Sequence, residues 1–357
     1  MPLKLSSYND EFAHANYAYQ ILRTHALPGF HEAIDANDAI SHGLYENYQS
    51  PLYYCVLAAA GKITEVVEVG RLIILGRLLN LIAFVGLLCL FVMIASVLNL
   101  DQFVTGAGLV FISLNGVLVR FTSTAGNDPL FWLCSGAILL SCSVLWRDGF
   151  SRSWLLVLFV SLVLGLYSKL TTLLFVPLPL VALMRHASSR NALVSLACAI
   201  SALMLTLPLW MRNLSVFHSL IPIEAGFGVP NADGFSVLAT LGYAGRSMIF
   251  PWSEFWQGYI GLFLMCVPLF YFAACVILKN SWAILLREPL LLVCLALTMF
   301  GFAWLNFRYD QSEGRYFFAA WPVIALAFSA RGSATLWMLF LSMLFPYLLF
   351  YPIILGA

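Results

Sequence analysis

Ten apolar blocks, most of them long enough to cross a lipid bilayer, leave this chain one architecture: a bundle of transmembrane helices. They run over about 76–98, 104–121, 129–146, 153–168, 171–185, 192–211, 258–278, 288–306, 316–330 and 333–354. A bilayer core is crossed by about 17–25 apolar residues in a helix. The 357 residues are 62% hydrophobic and only 10% charged, against roughly 25% charged in soluble domains. Disorder, coiled coil and a soluble α/β enzyme are thereby excluded, and the predicted fold class is all-α, a polytopic bundle. A net charge of +1 gives no footprint for nucleic acid. The eight cysteines stand singly within apolar runs, without metal-type spacing.

Two stretches interrupt the pattern. Residues 1–70 are polar and aromatic, with a short amphipathic piece from Leu52 to Ala60, and residues 212–257 form a second long loop rich in Gly, Pro and aromatics. The chain thus divides into a first loop (1–70), a first set of spans (71–211), a second loop (212–257) and a last set of spans (258–357). Seven basic residues (Arg147, Arg152, Arg185, Arg190, Lys279, Arg287, Arg331) and three acids fall on one side, against eleven basic and fourteen acidic residues on the other. The positive side is cytoplasmic by the positive-inside rule, so both long loops face outward. An outward first loop needs something to carry it across; the expectation is a further span ahead of Met1, and the alternative is translocation of a free N-terminus.

Chemistry-bearing residues gather on the outward side. Asp10 and Glu11 are adjacent, with His14 one turn on. Asn9 and these acids suit a helix start, where negative charge favours the dipole. The same carboxylates at a membrane surface suit a general base. Glu46 and Gln49 precede Pro51, which fits the first turn of a short helix, and they suit the wall of a polar cavity. Asn127-Asp128-Pro129 reads as a capped helix start. Arg77, Arg120, Lys169 and Arg315 sit at or just inside the ends of spans. Singly, each reads as a snorkelling side chain. As a set beneath an acidic pair they suit an anionic lipid headgroup, with phosphate the natural partner for arginine. No Walker loop, dinucleotide fingerprint, HExxH or GxSxG occurs.

The order of these motifs resembles that of the polytopic GT-C glycosyltransferases. An acidic pair with a histidine (Asp10, Glu11, His14) is followed by an acid, Glu46, and by Gln49-Ser50-Pro51-Leu52-Tyr53-Tyr54. Arg77-Leu78 comes early in a span and Asp128 precedes Pro129. Ser168-Lys169-Leu170-Thr171 closes another span, and Gly314-Arg315-Tyr316 stands ahead of Pro322. The likeness is to bacterial relatives of the protein O-mannosyltransferases and of the aminoarabinose transferases of lipid A, including membrane proteins with a late Gly-Arg-Tyr motif. Gln49-Ser50-Pro51 departs from the His-Pro-Pro of the mannosyltransferases, so neither mannose nor a protein acceptor is assigned.

The resemblance implies an inverting glycosyltransferase of the bacterial cytoplasmic membrane, using a polyprenyl-phosphate sugar and an acceptor hydroxyl of a glycan, lipid or protein on the outer face. It implies Asp10 as base with Glu11 beside it, and Arg77, Lys169 and Arg315 on the donor phosphate. His14, Glu46, Gln49, Arg120 and Asp128 are expected to line the site. Asp10, Glu11 and His14 are ligand types for a divalent metal, but acid pairs at helix starts are common and no cofactor is assigned. Two other classes stay open at this stage: a lipid or solute carrier, and a non-catalytic protein that keeps the fold. Convergence of Asp10 with the cations on one cavity, against their scatter over the lipid-facing perimeter, separates the enzyme from the last of these.

Overall fold

The computed structural model describes residues 10–28, 45–186, 189–222, 288–308 and 314–329, and every regular element among them is helical. The expected spans 258–278 and 333–354, and residues 223–257 of the second loop, lie outside the described residues.

The first region supplies α1 (Glu11–Thr24), a 3-10 turn η1 (Tyr45–Tyr48) and α2 (Leu52–Ile63). The amphipathic piece expected from Leu52 is α2. Among the described residues, three helices are long and apolar enough to cross a membrane unbroken: α3 (Val69–Val97), α6 (Asp128–Asp148) and α11 (Pro289–Arg308). Two further helix pairs among the described residues are long and apolar enough when taken together, each bent at a short break. One joins α4 (Gln102–Leu114) to α5 (Gly116–Thr122) at 57°, and the other joins α9 (Ser189–Leu205) to α10 (Leu207–Phe217) at 43°. The remaining apolar blocks form shorter helices: α7 (Arg152–Ser168), the 3-10 turn η2 (Leu170–Phe175) with α8 (Leu178–Met184), and η3 (Gly314–Ala320) with α12 (Trp321–Ser329).

Local chemistry explains the breaks. Asn115 turns its side chain onto the N–H groups of Val117 and Leu118, both at 3.1 Å, and so starts a new helix within an apolar run. Pro208 removes a backbone donor in the first turn of α10, which makes the preceding residues the place where that span bends. Asp101 caps α4 in the same manner as Asn115 caps α5, through Phe103 and Val104. Asn127 departs from expectation. It makes no side-chain cap to α6, its backbone lying in the helical region at φ −83° and ψ −11° where a capping residue is typically extended.

Helix α6 is the most enclosed of the three long spans, packing between α3 and α7. Its Gly136 faces the indole of Trp321, which an added Cβ would meet at 2.8 Å, and Trp321 Nε1 donates to the Trp132 carbonyl at 2.9 Å. Large apolar side chains such as Ile82 and Leu156 point outward, as lipid-facing residues do. A second, smaller core joins α1, α2 and the start of α3 through Tyr17, Tyr53, Tyr54, Leu57 and Leu72. The cysteines described are all unpaired. The chain is an integral membrane protein.

Candidate active site

Glu11 and Asp10 are adjacent in the chain yet serve different surroundings. Glu11, 3% exposed, accepts two hydrogen bonds from Arg77, from Nε at 2.8 Å and Nη2 at 2.6 Å, and a third from the Ala125 N–H at 2.7 Å. It therefore ties α1 to α3 and to the turn between α5 and α6. Asn80, one turn beyond Arg77, donates to the carbonyls of Thr124 and Gly126 at 2.5 and 2.9 Å and pins the same turn. The approach is close enough to require Gly76, where a Cβ would fall 2.8 Å from both Ala125 Cβ and the Tyr53 hydroxyl. Asp10 has a φ of 54°, left-handed for a non-glycine residue, a conformation costing about 1–3 kcal/mol that collects at functional sites. Beyond this turn Asp10 faces a cavity that Glu11 does not line.

That cavity measures about 530 Å³. One end is polar, formed by Asp10, His14, Glu46, Gln49, Asp128, Lys169 and Arg315. The cavity's apolar limb is the part lined from η2 by Leu173 and Leu174 and from α11 by Phe302 and Leu305. Gly301 lets these two elements meet, since a Cβ there would lie 2.4 Å from Leu174 Cδ1.

Asp128, at the first turn of α6, is the hub of the polar end. Lys169 Nζ binds its Oδ1, and Arg315 Nη1 stands 3.8 Å from its Oδ2. The ring of Tyr316 lies 5.8 Å from the Lys169 ammonium and 5.3 Å from the Arg315 guanidinium, within cation–π range of both. Lys169 reaches this point because α7 ends at Ser168 and the backbone turns extended at Lys169 before η2 begins. Asn127 Nδ2 donates to Gln49 Oε1 at 3.2 Å, and Gln49 Nε2 donates to the Tyr48 hydroxyl at 2.8 Å. The start of α6 is thus linked to Gln49, directly after η1.

Glu46 is 7% exposed, and its Oε2 has no hydrogen-bond partner. Burial pushes its carboxyl above the ordinary glutamate range. Asp10 pushes the same way, while His14, Arg315 and Lys169 oppose the shift. His14 Nδ1 is 2.8 Å from the hydroxyl of Tyr54, whose ring stacks on Tyr17 at 3.9 Å, so the imidazole is fixed where it borders the cavity.

Seven of the ten sequence candidates therefore line one cavity. Three do not. Glu11 and Arg77 satisfy one another beside it. Arg120, at the end of α5, lies 5.5 Å from the Phe121 ring and is not among the lining residues. The expectation of Arg77 on the donor phosphate thus meets a guanidinium already forked onto a buried carboxylate.

Sequence reasoning passed over Arg212. It stands on α10, which continues to Phe217, past the point where a loop was expected to begin. Its Nη2 donates to the Asn47 carbonyl at 2.8 Å and the Pro28 carbonyl at 2.9 Å, with the Tyr17 hydroxyl at 3.4 Å. It joins η1, and with it Glu46, to the rest of the bundle. The available signal was one arginine among Leu209, Trp210 and Met211.

No family model matches the sequence, and no curated protein does. Among solved structures the chain is similar to ArnT from Cupriavidus metallidurans, crystallised with undecaprenyl phosphate. The two superpose with a TM-score of 0.55 at 12% identity, over 96% of this chain and 60% of ArnT. At this identity the likeness shows a shared fold, that of ArnT. This chain accordingly spans less than two thirds of that protein's length.

Proposed function

We propose that this GT-C-fold chain is an inverting glycosyltransferase, moving a sugar from a polyprenyl-phosphate donor to an acceptor hydroxyl at the outer face of the bacterial cytoplasmic membrane. The observation that carries this reading is the cavity, whose wall combines apolar side chains with a cluster of ionisable ones. A lipid-linked sugar has an apolar chain, an anionic phosphate and a hydroxylic headgroup in that order. The cavity's wall offers a partner for each: apolar side chains, the Lys169–Arg315 pair, and the carboxyl groups of Asp10 and Glu46. The undecaprenyl phosphate bound to ArnT supports the donor class.

Asp10 takes the proton of the acceptor hydroxyl as its oxygen attacks the anomeric carbon. The bond from that carbon to the phosphate oxygen breaks, its electron pair leaves with the phosphate, and configuration inverts. Because the departing phosphate is already a weak base, no general acid is needed. Lys169 and Arg315 stabilise the charge that develops on it, the term that commonly dominates such catalysis. Both side chains are largely enclosed, 13% and 20% exposed, which strengthens the effect. Glu11 and Arg77 act by position, holding the start of α1 so that Asp10 faces the cavity.

The test is sugar transfer from undecaprenyl-phosphate-linked donors in membranes carrying the full chain, with wild type against Asp10→Asn. The variant is expected to lose on the order of 10²–10⁴-fold in rate, with an unchanged melting temperature and retained lipid. Undiminished transfer in Asp10→Asn would overturn the base assignment.

A further inference from the structure

The arrangement of charge around Asp128 bears on which phosphate the cavity prefers, an inference that rests on the donor reading above. Lys169 and Arg315 bring two positive charges to the seat, and Asp128 stands between them, in contact with the first and 3.8 Å from the second. Its carboxylate is 7% exposed, within the wall of the cavity. A seat built only for affinity would leave both cations to the ligand. This one sets a carboxylate against the pair and offsets one of their two charges.

The two lipids that occupy such a site in turn differ by that amount. A polyprenyl-phosphate sugar is a phosphodiester with one negative charge. The polyprenyl phosphate left after transfer is a monoester, which at neutral pH carries about −1.5 to −2 because its second pKa is near 6. The groups that face the seat from neighbouring elements add to the contrast. Asp10 and His14 come from α1, Glu46 and Tyr48 from η1, and Tyr316 from η3, so two further carboxyl groups border the place where the monoester gains its second charge. Specificity is a difference between affinities, and an element that penalises the wrong ligand creates it.

We propose that Asp128, by lowering the positive charge of the phosphate seat, favours the singly charged phosphodiester of a lipid-linked donor over the phosphomonoester product. Asp128 is then a specificity-determining residue. It favours loading of the donor over rebinding of product and assists departure of the product after transfer.

Two lipids test this without knowledge of the sugar: undecaprenyl phosphate and its methyl phosphodiester, each titrated onto the full chain in nanodiscs near about pH 8, where the monoester is a dianion. Wild type is expected to prefer the diester by on the order of tenfold. Asp128→Asn is expected to bring that ratio to about one or reverse it, with the monoester gaining most of the affinity. Asp128→Glu retains the charge and is expected to keep the wild-type preference. Lys169→Gln supplies the opposite sign, weakening both lipids but the monoester more, and it keeps the question decidable if Asp128→Asn does not fold. If Asp128→Asn weakens both lipids in equal proportion, Asp128 is only a strut and the inference fails. If wild type binds both lipids equally, the inference fails while the donor reading stands. If wild type binds neither, the donor reading falls and this inference falls with it.

Discussion

Glu11 and Arg77, 66 residues apart, meet in a two-pronged ion pair that fastens the start of α1 to α3. The carboxylate is almost fully buried and accepts a third bond from Ala125. Removing one partner leaves an uncompensated charge, which typically costs about 3–5 kcal/mol. Arg77→Ala is therefore expected to lower the melting temperature sharply, and any lost activity should follow the loss of folded protein. The check is a thermal melt beside a lipid-binding assay on the surviving folded fraction. A variant that melts like wild type yet no longer holds undecaprenyl phosphate would return Arg77 to the donor phosphate.

This pair marks where the sequence stops being informative. The helical bundle was legible because hydrophobic blocks of bilayer length have few alternatives. Lys169, Arg315 and Asp128 were legible as ionisable residues at the edges of such blocks, where their cost demands a partner. What could not be read was which charge meets which. Arg77 and Lys169 look alike as cations at apolar boundaries, but the bundle turns one onto Glu11 and the other onto Asp128. Asn127 has the sequence of a cap and makes a tertiary contact with Gln49 instead. Arg212 was hidden for the same reason, since its acceptors are the backbone carbonyls of Pro28 and Asn47, which carry no signature in a sequence.

Glu46 gives a prediction whose sign follows from burial. Below about 4.5, its ordinary value, the carboxyl is protonated in folded and unfolded chains alike. As pH rises further the unfolded chain ionises first, while the folded chain keeps its proton because burial holds the carboxyl above that value. The folded state then loses stability until the buried carboxyl also ionises, after which the deficit is constant. Glu46→Gln removes this dependence. Its melting temperature relative to wild type is expected to rise as pH increases from about 4.5 towards 8. Paired melts across that range decide it, and a difference that stays flat or narrows would count against a buried, unpaired carboxyl.

Arg212 should act on the site from a distance. Its Nη2 satisfies the Asn47 and Pro28 carbonyls, and an acceptor left without a partner in a buried setting costs about 1–3 kcal/mol. Arg212→Met is expected to lose that much stability and to speed amide exchange over residues 45–49, leaving α6 protected. Arg212→Lys keeps a donor and should fall between the two. The measurement is hydrogen–deuterium exchange resolved to peptides. Unchanged exchange over 45–49 would mean that η1 is held by something other than this arginine.

The apolar limb can be narrowed from a single position. Gly301 on α11 faces Leu174 on η2, and a Cβ placed there would stand 2.4 Å from one leucine methyl and 3.0 Å from the other. Because the obstruction is the far end of a flexible side chain, Gly301→Ala should fold. Leu174 must then turn aside, and the room open to it is the cavity that both residues line. The expected result is weaker binding of undecaprenyl phosphate, by on the order of tenfold. If steric crowding is the cause, removing the obstruction should undo it, so Gly301→Ala combined with Leu174→Ala is expected to recover most of the lost affinity. Two neighbours that share one space are non-additive in this way. Simple addition of the two single effects would show that the lipid chain does not pass between η2 and α11.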